Sequence, residues 1–211
     1  MGSLIKRIDQ IIEEKSLLKH PFYEMWSDGK LELDSLKGYS KEYYQLVKQV
    51  PHFMEPMVEC ATSDMKDELI RNMKEESEHI HLWEKFAGSM GISESELQGY
   101  DGLEKTKMAV FSLGSLMDSF DNGACAMYAF EKEIPKVSKT KLEGLKEFYG
   151  IDTKDAIEYF EEHITADIRH AASWEKIINN ADIDDSVMLT TAEKSVAAQN
   201  LLLDSCYESY C

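Results

Sequence analysis

Little in this 211-residue sequence interrupts a helix. It has four prolines (Pro21, Pro51, Pro56 and Pro135) and no stretch in which β-branched and polar residues alternate. A sheet is therefore excluded as a main element. Positive charge is scarce too: Lys plus Arg number 23 against 40 Asp plus Glu, a net charge of −17. That balance excludes a phosphate-tracking nucleic-acid face and argues against an anionic membrane surface. No apolar run approaches the ~20 residues of a membrane-spanning helix, and Met1-Gly2-Ser3 opens no signal-peptide pattern. Lys6 stands where a myristoylated chain carries Ser or Thr. The four cysteines, Cys60, Cys125, Cys206 and Cys211, show no CxxC spacing. They are expected to be free thiols, mostly buried, in a reducing cytoplasm. No repeat, low-complexity tract or linker divides the chain, so one domain over residues 1–211 is expected.

What remains is an ordinary globular composition, 43% hydrophobic and 30% charged, enough for a sizeable core. Leu4, Ile5, Ile8, Ile11 and Ile12 form the stripe of a first helix, which His20-Pro21-Phe22 breaks. Asp34 or Ser35 is placed to cap a second, carrying Leu36, Tyr39, Tyr43, Tyr44 and Val47 and bent near Pro51 and Pro56. A third covers about 63–90 and stops at Gly91. Ser93 to Glu96 resembles a capping box. The fourth runs from about 103 to 133, with Asn122-Gly123 as the expected kink, and ends before Pro135. A shorter helix at about 138–149 ends at Gly150. Two more start near Asp152 or Thr153 and at Ser186. The fold class is all-α, a bundle of seven to eight helices.

Three of these helices carry polar residues on their apolar stripes. One stripe is Ala156, Phe160, His163, Asp167, His170, Trp174 and Ile177. Another is Leu69, Asn72, Glu76, His79, Trp83, Phe86 and Met90. The third, Leu113, Met117, Phe120, Ala124, Met127, Glu131 and Ile134, has Glu131 as its only charge. Burying an isolated carboxylate costs several kcal/mol, so such groups need a partner or a metal. Glu76, His79, Glu131, His163, Asp167 and His170 together bring three carboxylates and three imidazoles inward. This donor set suits two divalent first-row metals, iron or manganese before zinc. Each piece also has a plainer reading. A core histidine is usually a hydrogen-bonded structural group, and Glu131 alone fits a buried partner for Lys or Arg. Glu75, beside the stripe, is the substitute for Glu76. Glu78 and His81 share a face with Lys74 and Lys85 and read as solvent-exposed. His20 and His52 sit beside prolines without ligand spacing.

At these residues the sequence resembles the haem-oxygenase-like helical superfamily that contains the TenA (thiaminase II) and PqqC proteins. Within it, the branch of CADD-like non-haem di-iron proteins is most similar, typified by the chlamydial protein associating with death domains. The resemblance is carried by His20-Pro21-Phe22-Tyr23…Trp26, Tyr39…Tyr43-Tyr44, Glu75-Glu76…His79…Trp83, Tyr128-Ala129-Phe130-Glu131…Ile134-Pro135 and His163…Asp167…His170. It covers nearly the whole chain. One departure stands out: members of the branch often separate the first Glu and His by about two helical turns, whereas here the interval is Glu76-x2-His79.

The resemblance implies a seven-helix bundle, two iron ions (or a Mn/Fe pair) on the six inward groups, O2 as co-substrate and an external reductant. It also implies synthesis of p-aminobenzoate for folate, cut oxidatively from the protein's own tyrosine with a lysine as amine source. Tyr23 matches that tyrosine and Lys141 that lysine. Tyr43 and Tyr128 are candidates to line the same cavity as relays or packing groups. Taken without the resemblance, Tyr23 is an amphipathic core aromatic and Lys141 a surface charge. A homo-oligomer, a dimer first, and an electron donor are the expected partners. The rival enzyme is a TenA-like aminopyrimidine aminohydrolase using Cys125 and Glu208, which leaves His163, Asp167 and His170 without a role. A PqqC-like oxidase would want more basic residues. A metal-binding or partner-binding bundle without catalysis is the third class.

Overall fold

Eleven α-helices and one 3-10 turn account for the secondary structure of the computed structural model, which describes residues 3–117 and 119–211. Asp118, inside the expected fourth helix, lies outside the described residues. The first helix, α1 (Leu4–Glu14), buries Ile5, Ile8 and Ile12. His20-Pro21 does break the chain, but it also starts a helix that the sequence reading left as a break. His20 accepts the Phe22 amide on Nδ1 at 3.2 Å, and Pro21 opens α2 (Pro21–Ser27). Proline is favoured there because its missing N–H is an orphan in any first turn. That short helix turns Tyr23 and Trp26 into the core.

The expected second helix is two, α3 (Leu33–Val47) and α4 (Val50–Cys60), with Pro51 in the first turn of the latter. Its N-cap is Glu32, not Asp34 or Ser35, because Ser35 Oγ is engaged by the carbonyl of Tyr210 at 2.6 Å. Helix α5 (Ser63–Ser89) ends as expected, with Gly91 at φ +84°, a conformation glycine adopts without a Cβ clash. Ser93 caps α6 (Glu94–Gly99) by accepting the Glu96 amide at 3.2 Å.

The fourth helix is interrupted as well, into α7 (Glu104–Gly114) and α8 (Phe120–Glu131). The break precedes Asn122-Gly123, which instead lies in the first turn of α8. Gly123 is needed for another reason: a Cβ there would collide with the Met57 side chain of α4. Helices α9 (Ile134–Glu147), α10 (Lys154–Asn180) and α11 (Asp185–Tyr210) complete the chain. Counting α3–α4 and α7–α8 each as one interrupted helix leaves seven long units besides the short α2 and α6.

Helix α10 packs on α5, α8 and α9, while α11 packs on α1, α3, α7 and α8. The α5–α10 pair is antiparallel, since Glu68 meets Ser173 and Lys85 meets Glu158. Its shared face joins that of α8, so the polar stripes of three helices meet along one axis. No helix of the described residues is long and apolar enough to cross a membrane.

Gly144 of α9 sets how closely α2 approaches. A Cβ there would lie 2.6 Å from the fully buried Trp26 ring and 3.2 Å from its carbonyl oxygen. Gly144→Ala is expected to destabilise the protein by ~1–2 kcal/mol, overpacking outweighing the ~1 kcal/mol gain in helix propensity. Urea denaturation of the two proteins measures it.

Candidate metal centre

The three stripes are buried, apart from the half-buried Phe120, and the polar residues on them meet. Glu76 and His79 come from α5, Glu131 from the end of α8, and His163, Asp167 and His170 from α10. All six are at most 6% exposed. Ligand atoms of Glu76, His79 and His163 lie within 4.8 Å of one another, and so do those of Glu76, Asp167 and His170. Glu76 belongs to both groups, as a carboxylate shared between two cations would. The His79 and His163 rings lie 4.1 Å apart. Glu131 stands beside the second group, its Oε2 accepting the indole N–H of Trp174 at 2.6 Å.

Hydrogen bonds fix which ring nitrogens point inward. His163 donates Nδ1–H to the Tyr159 carbonyl at 2.7 Å, which leaves Nε2 as the free donor atom. His170 turns Nε2 outward to Glu75 at 2.7 Å and Nδ1 inward, 3.1 Å from Glu76 and 3.5 Å from Asp167. Glu75, the substitute considered for Glu76, is therefore outside the cluster. It orients His170 and is itself held by Arg169. Burial raises the Glu75 carboxyl, but His170 and Arg169 outweigh that and keep it below the usual carboxylate range. The remaining histidines are elsewhere: His20 meets Asp204, His52 meets Glu55, and the exposed His81 lies beside Glu84.

The electrostatics are those of a site short of positive charge. Burial raises Glu76, yet His79, His170 and His163 overcome it and hold Glu76 well below the usual range. Glu131 is raised well above that range by burial, with Glu76 and Asp167 adding to it. Asp167 is raised to about 6, again by burial first. His163 is lowered to about 3 by burial and the neighbouring His79, so it is a neutral ligand donor. Burial also works against charge on His170, but Asp167, Glu76 and Glu131 raise it to about 12. Glu131 Oε1, Asp167 Oδ2 and His170 Nδ1 are buried without a hydrogen-bond partner. Three unsatisfied ligand atoms in one place fit bound cations, and the mixed oxygen and imidazole donors fit iron or manganese.

A cavity of ≈ 10 Å³ lies against this cluster; Tyr43, Glu76, Glu131, Tyr159, His163 and Asp167 are among the residues that line it. That is about the room one water needs. Burial first, then Asp167 and Glu76, raises the Tyr43 phenol. Beyond Tyr43 lies Lys141. It is 3% exposed, not the surface charge that composition favours. Its Nζ donates to Tyr39 Oη at 2.6 Å and sits 4.7–5.0 Å from the ring centres of Tyr23, Tyr39 and Tyr43. The Tyr23 and Tyr39 hydroxyls are 3.0 Å apart.

Tyr128 is a correction. Its hydroxyl donates to Asp9 of α1 at 2.7 Å, and it is absent from the cavity lining. The rival residues do not assemble either. Cys125 is fully buried, its thiol raised to about 12 by desolvation and turned to the Met188 carbonyl. Glu208 is exposed and paired with Lys105. Sequence reasoning gave no site role to Tyr39, Tyr159 or Arg169. Only the tyrosine-rich composition of α3 hinted at the first.

Fold and site together describe a helical bundle built to hold metal. Residues 37–199 match the family described as iron-containing redox enzymes, and this chain belongs to it. A Chlamydia muridarum protein named 4-aminobenzoate synthase is 34% identical over 92% of this chain and 85% of its own length. A protein of the same name from Nitrosomonas europaea is 31% identical over 98% and 92%. Among solved structures, a TenA homologue from Pseudomonas syringae superimposes with TM-score 0.82 at 17% identity, covering 99% of this chain and 98% of that one. A CADD-like protein of unknown function from Nostoc punctiforme gives 0.77 at 19%, covering 99% and 97%. These two likenesses show the haem-oxygenase-like fold.

Because Glu75 sets the orientation of His170, Glu75→Gln is expected to leave the fold intact and weaken ferrous binding tenfold to a hundredfold. Anaerobic titration against a competing chelator measures it.

Proposed function

We propose that this chain makes 4-aminobenzoate from its own side chains, with Tyr23 as the source of the ring and Lys141 as the source of the amine. Glu76, His79, Glu131, His163, Asp167 and His170 would hold two metal ions, iron with iron or with manganese. The observation that carries the reading is the placement of Lys141: a fully buried amine, ringed by three tyrosines, one cavity away from a cluster of metal-ligating groups. Relatives named 4-aminobenzoate synthase along nearly the whole chain support it.

When bound, the metals with O2 and an external reductant supply an oxidant that no side chain provides alone. The protein's own residues do the rest. Tyr43 and Tyr159 line the cavity beside the metal ligands and leave room there for about one water. Burial brings the Lys141 ammonium down to about 7, so a large fraction is a neutral, nucleophilic amine near neutral pH. Tyr23 stays a neutral phenol, its own ionisation pushed well up by burial. A ring of that kind is attacked by oxidation, not by deprotonation.

Each product destroys one tyrosine, so yield is expected to stop at or below one 4-aminobenzoate per chain with no added aromatic substrate. Ferrous titration should saturate near two ions per chain. Tyr23→Phe and Lys141→Arg should both abolish product while that stoichiometry persists. Intact-protein mass spectrometry before and after ferrous iron and O2 measures it. Repeated turnover on an added molecule, or full yield from Tyr23→Phe, would instead mean an ordinary oxygenase.

The same lysine costs stability. Its folded-state value of about 7 lies below the 10.5 of a free side chain. Between those values the unfolded chain binds more protons, so stability rises with pH across that window. The penalty is full below about 7. Lys141→Met should therefore stabilise the protein at pH 6 by ~3 kcal/mol or more, after ~1 kcal/mol for the lost Tyr39 hydrogen bond. At pH 10 the gain should nearly vanish. Thermal melts at the two pH values test the sign.

A further inference from the structure

Lys141 has no carboxylate partner among the described residues; its one polar side-chain contact is a neutral oxygen, Tyr39 Oη, at 2.6 Å. The same oxygen lies 3.0 Å from Tyr23 Oη. Tyr39 has little freedom to be elsewhere. It is fully buried, its ring 5.2 Å from Phe22, 5.4 Å from Trp26 and 5.3 Å from Tyr43. The main chain of Lys141 is fixed by the same group, since Trp26 Nε1 donates to its carbonyl at 3.1 Å. A lysine with three rotatable donors and a long stem would otherwise sample several positions in such a cage.

We propose that Tyr39 is a positioning residue: its single hydroxyl holds the Lys141 nitrogen and the Tyr23 phenol on one oxygen, setting the amine against the ring before any chemistry begins. This rests on the sacrificial reading above. Reacting groups must be held within ~3–3.5 Å in the productive arrangement, and the hydrogen-bonded row Lys141–Tyr39–Tyr23 confines both partners to a single small volume. The groups that face the amine are the phenols of Tyr23 on α2 and of Tyr39 and Tyr43 on α3, the Cys206 thiol on α11, and the neutral His163 on α10. None of them is an anion near neutral pH, so Tyr39 is the acceptor on which the orientation of the amine depends.

Tyr39→Phe removes the oxygen and keeps the packed ring. Two measurements are made on the full chain. The first follows the Lys141 titration by NMR of ε-labelled lysine under anaerobic conditions. Without that acceptor the ammonium form is less stabilised and the amine is harder to protonate, so the midpoint should move down by about one pH unit. The second is 4-aminobenzoate per chain after ferrous iron and O2, which should fall at least tenfold at unchanged ferrous stoichiometry. Placing 3-fluorotyrosine at position 39 restores the oxygen and should restore most of the yield. Full yield with an unmoved Lys141 midpoint in Tyr39→Phe overturns the proposal, and so does lost yield with an unmoved midpoint. If Tyr23→Phe still makes product, the sacrificial reading falls. A downward Lys141 shift in Tyr39→Phe would still support the hold of Tyr39 on the amine.

Discussion

Three carboxylates, Glu76, Glu131 and Asp167, sit where a helical bundle should be apolar, and no Lys or Arg of the described residues forms an ion pair with them. Desolvation of an isolated carboxylate costs more than packing can return, so this arrangement persists only with positive charge from imidazolium or from metal. The three histidines supply donors on the same axis. His170 takes the strain of the arrangement, raised to about 12 by anions that outweigh its burial. Much of the surrounding structure follows from keeping these groups in register: Trp174 on Glu131, the Tyr159 carbonyl on His163, and Glu75 with Arg169 on His170.

A second polar group is buried under the opposite rule. The anionic cluster needs charge; Lys141 is deprived of it. An amine placed against Glu76 or Asp167 would be locked as ammonium, and no longer a nucleophile. The side chains beside the lysine on this side are aromatic, Tyr43 and Phe160 among them. This arrangement accounts for Tyr39 and Tyr43 on α3 and for Tyr159 on α10. Phenols are apolar enough to keep the amine neutral and polar enough to orient it.

The centre was legible because its signal is a contradiction. His163, Asp167 and His170 occupy helical spacings that force them inward among Ala156, Phe160, Trp174 and Ile177, and a stripe of that kind does not depend on where a helix ends. The α8 stripe survived even though the helix carrying it is broken before Phe120. The breaks themselves were harder to see. The local marks of the stop are slight, Gly114 itself and Ser119, which caps α8 by accepting the Asn122 amide, and Gly123, which looked like a kink, is a packing contact with Met57. Tyr128 shows the limit of arguing from proximity in sequence. Three residues from Glu131, it faces Asp9 rather than the cavity. Tyr39 and Tyr159 were invisible as site residues for the opposite reason. A tyrosine on an apolar stripe is ordinary core, and what distinguishes these two is contact with α9 and with Tyr43, which only the assembled bundle supplies.

The position of Lys141 is the least economical feature of the fold, and that gives it meaning. It occupies a site where Leu or Met would pack as well, and its charge is suppressed by burial alone, with no anion to compensate. A lysine free to drift would swing its head toward solvent along its own apolar stem. Here the way out is closed by Trp26, which donates to the Lys141 carbonyl, and by the absence of a side chain at Gly144 one turn further along α9, which lets α2 pack flat against it. The two smallest decisions in this region, a proline that starts α2 and a glycine that admits it, therefore help set the distance between the Lys141 amine and the ring of Tyr23. The fold by itself places the Lys141 nitrogen 5.0 Å from the centre of the Tyr23 ring.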